Sequence, residues 1–295
     1  MTAKIINGIE VSAAIRADLR ERVTAMADRG VVPGLAVIKV GVDPASAVYV
    51  RNKVRACGEV GIQSSQYDFE ANVSQQTVLD LIGDLNERPN IHGILVQLPL
   101  PPHFAIADIL QTISVDKDVD GFHLYNVGGL VAGGTVFPPC TPYGVVKILE
   151  HEGIEIEGKN VVVVGASNIV GKPMALMLMQ RDATVCICHA KTRDLAQFTI
   201  LADILVVAVG KPNLILPEMV KTGAVVIDVG INRLPDGKLV GDTDFEGLRH
   251  KVSHITPVPG GVGPMTVTML LANTVASAER RLQTQSERLL TSVAS

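Results

Sequence analysis

Apolar residues recur along the chain in two forms, short unbroken runs and stripes at helical spacing, and the forms alternate. A helical stripe over 8–29 precedes the apolar run Leu35–Val40, which stops at the turn signal Gly41-Val42-Asp43-Pro44. Ser46 is placed to cap a helix reaching about Val60. A strand is expected over 63–69, a helix over 74–87 and a strand over 93–97, the last cut off by Pro99, Pro101 and Pro102. A short helix follows over 103–113. Strands separated by single helices predict a parallel sheet with right-handed crossovers.

The stretch 116–142 interrupts this rhythm with Gly128-Gly129, Gly133-Gly134, Pro138-Pro139 and Pro142, and reads as an inter-domain connection. After one helix near 143–151, a second α/β series begins. Its strands are expected at 160–164, 183–188, 204–209, 224–229 and 255–258, and a long helical stretch from about Thr266 ends the chain. No internal repeat is visible.

At 295 residues the chain has room for one large domain or two ordinary ones. Its 47% apolar and 19% charged residues describe a globular protein with a sizeable core. A net charge of −4 gives no electrostatic reason to bind nucleic acid or an anionic membrane surface, and 3% aromatics without Trp leaves little for base stacking. No apolar run approaches the roughly 18 residues of a membrane span. No signal peptide stands at the start. Cys57, Cys140, Cys186 and Cys188 form no C-x-x-C pair and no disulfide framework, which suits a reducing cytoplasm.

Candidate chemistry begins with Val161–Val164, a buried strand that runs into Gly165-Ala166-Ser167-Asn168-Ile169-Val170-Gly171 and then a helix at Lys172-Pro173. A glycine turn there lets backbone N–H groups and the helix N-terminus face a pyrophosphate. The spacing departs from G-x-G-x-x-G, because Ser167 replaces the second glycine and the loop is one residue longer. A plain strand-to-helix turn is the alternative. An NAD site wants an acid about 20 residues past the first glycine. Positions 183–193 carry none and offer Lys191, Thr192 and Arg193 instead, a set suited to an extra ribose phosphate and hence to NADP. The alternative for these three is a solvated basic loop. Gly210 and the segment Asp228-Val229-Gly230-Ile231-Asn232 end later strands, at the ligand edge of an open parallel sheet.

In the first half, Tyr49 and Lys53 stand four apart on one helix face, Gln97 ends a strand, and Asp120 follows the next helix. An aromatic face, an ammonium, an amide and a carboxylate together can bind a planar polar heterocycle and move protons on it. Each has a plainer reading: Tyr49 and Lys53 as half-buried helix surface beside Arg51 and Arg55, and Asp120 as a turn carboxylate. Asp116-Lys117-Asp118-Val119-Asp120-Gly121 imitates the start of a calcium loop, but Val127 stands where a bidentate Glu is needed. His250 and His254 have zinc-ligand spacing without the H-E-x-x-H glutamate. Cys186 and Cys188 share a strand face and read as core thiols. No G-x-S-x-G elbow is present.

The segments Tyr49-Val50-Arg51-Asn52-Lys53, Gly93-Ile94-Leu95-Val96-Gln97-Leu98-Pro99, Asp118-Val119-Asp120-Gly121, Pro139-Cys140-Thr141-Pro142 and Pro257–Thr266 resemble, in order over nearly the whole chain, bifunctional methylenetetrahydrofolate dehydrogenase/methenyltetrahydrofolate cyclohydrolase. The resemblance implies a two-domain α/β fold. A folate-binding catalytic domain would cover 1–140, joined by the C-terminal helix of about 270–295, and a Rossmann-type NADP domain would cover 141–269. It implies oxidation of methylenetetrahydrofolate by NADP, then hydrolysis of the methenyl product to formyltetrahydrofolate. Lys53 would transfer protons in the hydrolysis, Gln97 would hydrogen-bond Lys53, Asp120 would hold the pterin and Tyr49 would stack on it. Val96, Leu98, Pro259, Gly260, Gly261, Val262 and Gly263 would border the folate. Gly165, Ala166, Ser167, Ile169, Lys191, Thr192, Arg193, Gly210, Ile231 and Thr266 would meet the cofactor. No metal is implied, and the enzyme would be a cytoplasmic homodimer acting on tetrahydrofolate one-carbon derivatives. Ala166 and Ala190 depart from relatives that carry Arg and Ser there, leaving Lys191 and Arg193 to serve the phosphate. A hydroxy-acid dehydrogenase on a similar plan and a non-catalytic nucleotide sensor are the competing readings.

Overall fold

The computed structural model describes residues 2–41 and 44–293, with the side chains of 44–49 and 285–293 outside the description. In chain order the elements are β1 (Lys4–Ile5), α1 (Gly8–Ala27), β2 (Gly34–Val40), α2 (Pro44–Val60), β3 (Gln63–Phe69), α3 (Gln75–Glu87) and β4 (Gly93–Val96). Next come α4 (Ile106–Thr112), α5 (Leu124–Ala132), α6 (Cys140–His151), β5 (Asn160–Val164), α7 (Gly171–Met179), β6 (Thr184–Cys188) and α8 (Ala196–Thr199). The chain continues with β7 (Ile204–Val207), β8 (Val225–Asp228), β9 (Asn232–Arg233), β10 (Leu239–Val240), α9 (Phe245–Leu248), β11 (His254–Ile255) and α10 (Val262–Val293).

The chain divides into two compact units, each built from two segments. One comprises 1–13 with 139–266, the other 14–138 with 267–295. The first thirteen residues, expected with the N-terminal domain, therefore go with the other unit. The reason is β1, which pairs in parallel with β11, Lys4 opposite His254, and extends that unit's sheet.

In the unit of 14–138 and 267–295, β3, β2 and β4 form a parallel sheet in that order. Its core joins Ala36, Ile38 and Ile94 of the strands to Val78, Ile82 and Leu85 of α3 and Ile109 of α4. Ser74 caps α3 by accepting the Thr77 N–H at 3.1 Å. The expected cap Ser46 instead lies inside α2, which opens on Pro44, a residue suited to a first helical turn. The expected connection also holds a helix, α5, ended by Gly133 in the left-handed region. Asn126, fully buried, holds this segment by donating to Asp118 and accepting the Val136 and Phe137 N–H groups.

In the other unit the sheet runs β1-β11-β8-β7-β5-β6, parallel throughout. The near-continuous apolar strands, such as Val161–Val164 and Ile204–Val207, are what a sheet buried on both faces requires. A small antiparallel hairpin, β9 with β10, follows β8.

Candidate functional site

Each unit carries its own set of polar groups at strand ends. In the unit built on β2, Lys53 projects from α2 and is only 9% exposed. Its Nζ donates to Gln97 Oε1 at 3.0 Å. Gln97 follows β4, its backbone N–H donating to Ile38 O at 2.8 Å and its side-chain amide to Leu98 O at 2.7 Å. The amide oxygen is thereby turned toward Lys53. The pairing replaces the surface reading of Lys53 with a buried, aimed ammonium. Val96 is buried in the same strand, and Leu98 precedes a cis bond to Pro99. Tyr49 stands on α2 one turn before Lys53, and its side chain lies outside the described residues.

Asp120 is partly buried on a turn closed by Gly121 in the left-handed region (φ +79°). Asp118 shapes that turn. It is 1% exposed and accepts from Phe122 N–H at 3.3 Å, His123 N–H at 2.8 Å and Asn126 Nδ2 at 2.8 Å. Burial pushes the Asp118 carboxyl up to about 6 against those hydrogen bonds, with the charge of Asp120 adding to the rise. Asn273 of α10 donates to Val119 O at 2.8 Å and Pro138 O at 3.1 Å, fastening both ends of the segment. Sequence reasoning quoted Asp118 only as part of a motif and missed Asn126 and Asn273. No periodic signal marks a buried amide, so only the structure finds them.

In the other unit the turn after β5 requires glycine twice. Gly165 has φ +124°, and a Cβ there would lie 2.2 Å from Ala208 O. A Cβ at Gly171 would lie 1.9 Å from Gly165 O. Ser167 Oγ accepts the Val170 N–H at 3.1 Å and the Gly171 N–H at 3.3 Å, and Ser167 O accepts the Lys172 N–H. The first N–H groups of α7, expected to face a pyrophosphate, are therefore capped from within. The N–H groups of Ala166, Ser167, Asn168 and Ile169 make no hydrogen bond among the described residues, and this stretch is half-buried to exposed. The open N–H groups are thus those of the loop itself rather than those of the helix end.

Lys191 and Arg193 are exposed on the loop after β6. Thr192 is instead tied into its own turn, its hydroxyl accepting the His189 N–H at 2.9 Å. Cys188 beneath it is buried, and burial pushes its thiol up to about 11, with Cys186 adding to the rise. Gly210, with φ +70°, and Ile231 stand exposed after β7 and β8. Asp242 and Asp228, both buried, lace these two strand ends together, and burial raises the Asp228 carboxyl against its hydrogen bonds from Asp242 and Thr243. Sequence analysis named Asp228 only as part of a strand end and missed Asp242.

The glycine loop 259–263 follows a cis Val258–Pro259 bond, with Gly260 at φ +104°. A Cβ at Gly8 would lie 1.8 Å from Gly261 O, so the start of α1 seats directly on this loop. A Cβ at Gly263 would reach 4.0 Å from Ile231 Cδ1. Val262 is buried, and Thr266 shares a 3.1 Å hydrogen bond between hydroxyls with Thr141.

A strand-to-helix glycine turn, open loop N–H groups and a basic following loop fit a phosphorylated dinucleotide. Comparisons with known proteins extend this. The model of the tetrahydrofolate dehydrogenase/cyclohydrolase catalytic domain matches residues 6–120, and that of the NAD(P)-binding domain of the same name matches residues 139–282. The bifunctional protein FolD of Nitrosospira multiformis is 60% identical, covering 95% of this chain and 97% of that protein. That of Dechloromonas aromatica is 57% identical over 95% and 99%. Among solved structures, the bifunctional FolD enzyme of Campylobacter jejuni superposes with a TM-score of 0.93 at 52% identity, covering 95% of this chain and 99% of that one. The Trypanosoma brucei enzyme, solved with NADP cofactor and inhibitor, gives 0.92 at 40% identity over 96% and 99%.

Proposed function

The chain belongs to the tetrahydrofolate dehydrogenase/cyclohydrolase family, and from that membership we propose how its own residues divide the work of a bifunctional, NADP-dependent enzyme. The reaction is oxidation of methylenetetrahydrofolate to the methenyl cation, then hydrolysis to formyltetrahydrofolate. We assign the folate to the unit of 14–138 and 267–295, and the nucleotide to the unit of 1–13 and 139–266.

The backbone N–H groups of 166–169 hold the pyrophosphate, and Lys191 and Arg193 meet the extra ribose phosphate. Gly165, Gly210, Ile231 and Thr266 border the remainder. NADP, when bound, supplies the acceptor of the hydride lost by the methylene carbon. The protein's part in that step is orientation, holding the one-carbon unit close to the acceptor. Tyr49 offers the ring face for the pterin and Asp120 accepts its N–H groups. Val96 and Leu98 border the folate in that unit.

The hydrolytic step requires proton movement. Water bonds to the methenyl carbon and gives up both of its protons as the formyl group forms, one released and the other gained by the nitrogen whose bond to that carbon breaks. Lys53 exchanges these protons. The observation that carries this reading is a largely buried Lys53 whose Nζ is held 3.0 Å from Gln97 Oε1. A neutral amide oxygen aims the amine without a counter-charge that would lock it in an ion pair. We also read the enzyme as a cytoplasmic homodimer without nucleic-acid partners. Its four cysteines are all free, which fits a reducing compartment.

A Lys53→Met variant tests the assignment. Its cyclohydrolase rate is expected to fall by roughly 100-fold or more, the scale of a lost general acid–base group, while NADP still binds. Full cyclohydrolase activity in that variant would refute the role of Lys53.

A further inference from the structure

Asp242 is fully buried yet hydrogen-bonded on every side. Its Oδ2 accepts the Val209 N–H at 2.7 Å and the Gly210 N–H at 2.9 Å, and its Oδ1 accepts the Lys211 N–H at 2.9 Å. Three successive backbone N–H groups converging on an anion form a nest of the kind that elsewhere binds a ligand's charge. Here the chain fills it with its own carboxylate. Asp242 Oδ1 also accepts from Asn232 Nδ2 at 2.8 Å, and the same Asn232 amide nitrogen donates to Gly241 O at 3.1 Å. One carboxylate thus joins the loop after β7 to the chain after β8.

Asp228 makes the reciprocal link. Its Oδ1 accepts the Gly230 and Asp242 N–H groups at 2.9 and 3.0 Å. Its Oδ2 accepts the Thr243 N–H at 2.8 Å and the Thr243 hydroxyl at 2.7 Å. The glycines make room for both acids. A Cβ at Gly230 would lie 2.3 Å from Asp242 Cγ, and one at Gly241 would lie 2.1 Å from Asp228 Oδ2.

We propose that Asp242 is a positioning residue of the nucleotide site, setting the spacing of Gly210 and Ile231 before the cofactor arrives. The inference rests on the NADP reading above. Gly210 and Ile231 are exposed just beyond the paired ends of β7 and β8, so whatever freedom these two loops keep would be lost on binding, at a cost in affinity. Asp242 lowers that cost by holding Gly210 directly and, through Asn232, the residue next to Ile231. An amide at 242 keeps the shape but turns one N–H toward a backbone N–H, opening the nest.

The test compares wild type, Asp242→Asn and Asn232→Ala, the last removing the bridge to the second strand end together with the Asn232 donation to Gly241 O while leaving the three backbone N–H groups on Asp242. NADP Kd, NADP KM, dehydrogenase kcat and nucleotide-free cyclohydrolase rate are measured on each. Asp242→Asn is expected to raise Kd and KM about tenfold or more, with kcat at saturating NADP and the cyclohydrolase rate within about threefold of wild type. Asn232→Ala should shift Kd in the same direction by a smaller factor. Wild-type NADP affinity in folded Asp242→Asn overturns the proposal, as does a fall of kcat and of the cyclohydrolase rate as large as the rise in Kd and KM, the mark of a purely structural role. If Asp242→Asn does not fold, an unchanged Kd in Asn232→Ala overturns it. Wild-type enzyme that fails to reduce NADP would sink the functional reading instead.

Discussion

At the scale of single residues, two buried titratable groups pull the pH dependence of stability in opposite directions. His92 is 4% exposed and accepts the Gly34 N–H on Nδ1 at 3.0 Å. Burial first, then the charges of Arg281 and Lys117, bring it down to about 4. Between that value and its ordinary 6.5 the unfolded chain carries a proton that the folded chain lacks, so His92 removes stability as pH falls through this window. Asp118, raised to about 6 from 3.8, does the reverse. Between 3.8 and 6 it is protonated only when folded, so it adds stability on acidification. The windows overlap and the effects nearly cancel, each bounded at about 1.4 kcal/mol per pH unit. His92→Asn, which keeps an acceptor for Gly34, should therefore gain stability relative to wild type as pH falls from 6 to 4. Asp118→Asn should lose it. Denaturant unfolding at several pH values reads both slopes, and parallel slopes in all three proteins would contradict the argument. The Lys53–Gln97 hydrogen bond is legible in the sequence because each residue sits in a distinctive motif. Asp242 is not, because its value lies in backbone N–H groups some thirty positions away, and nothing local announces them.

At the scale of elements, legibility followed length. β3 matched its expected span, because seven residues between turn signals leave little choice. β1, β9 and β10 hold two residues each, too few for any period to show, and β11, expected over 255–258, is only His254–Ile255. The sequence hides α5 inside a connection because the helix contains Gly128-Gly129, each glycine costing a helix about 1 kcal/mol. The structure supplies the reason for one of them. A Cβ at Gly129 would lie 2.7 Å from the Thr135 backbone, so the chain returning after α5 needs glycine there. The same reasoning gives a prediction for the turn after β5. Gly165→Ala places a methyl against Ala208 O in a backbone region that L residues avoid. It is expected to weaken NADP binding by about tenfold or more, as read by titration. Unchanged affinity would show that the turn is not part of the cradle.

At the scale of the whole molecule, alternating strands and helices announced two α/β units, and the glycine- and proline-rich stretch placed a boundary close to the observed one at Pro138–Pro139. The sequence did not show that each unit is made of two segments. α10 explains why this matters for stability. It brings Leu270, Leu271, Val275 and Ala278, all buried, together with Asn273, which holds Val119 and Pro138. A fragment of residues 1–138 lacks this helix and is expected to show no cooperative unfolding transition. A sharp calorimetric transition in that fragment would contradict the assignment of 267–295 to its unit. Both units serve one account, in which oxidation and hydrolysis of the same one-carbon group follow each other on a single chain. The most direct test is an assay with methylenetetrahydrofolate and either NADP or NAD, following methenyl formation and its decay. The account predicts reduction of NADP in preference to NAD, then methenyl decay faster than the uncatalysed rate. Reduction of neither nucleotide, or methenyl that accumulates and decays no faster than in buffer, would contradict it.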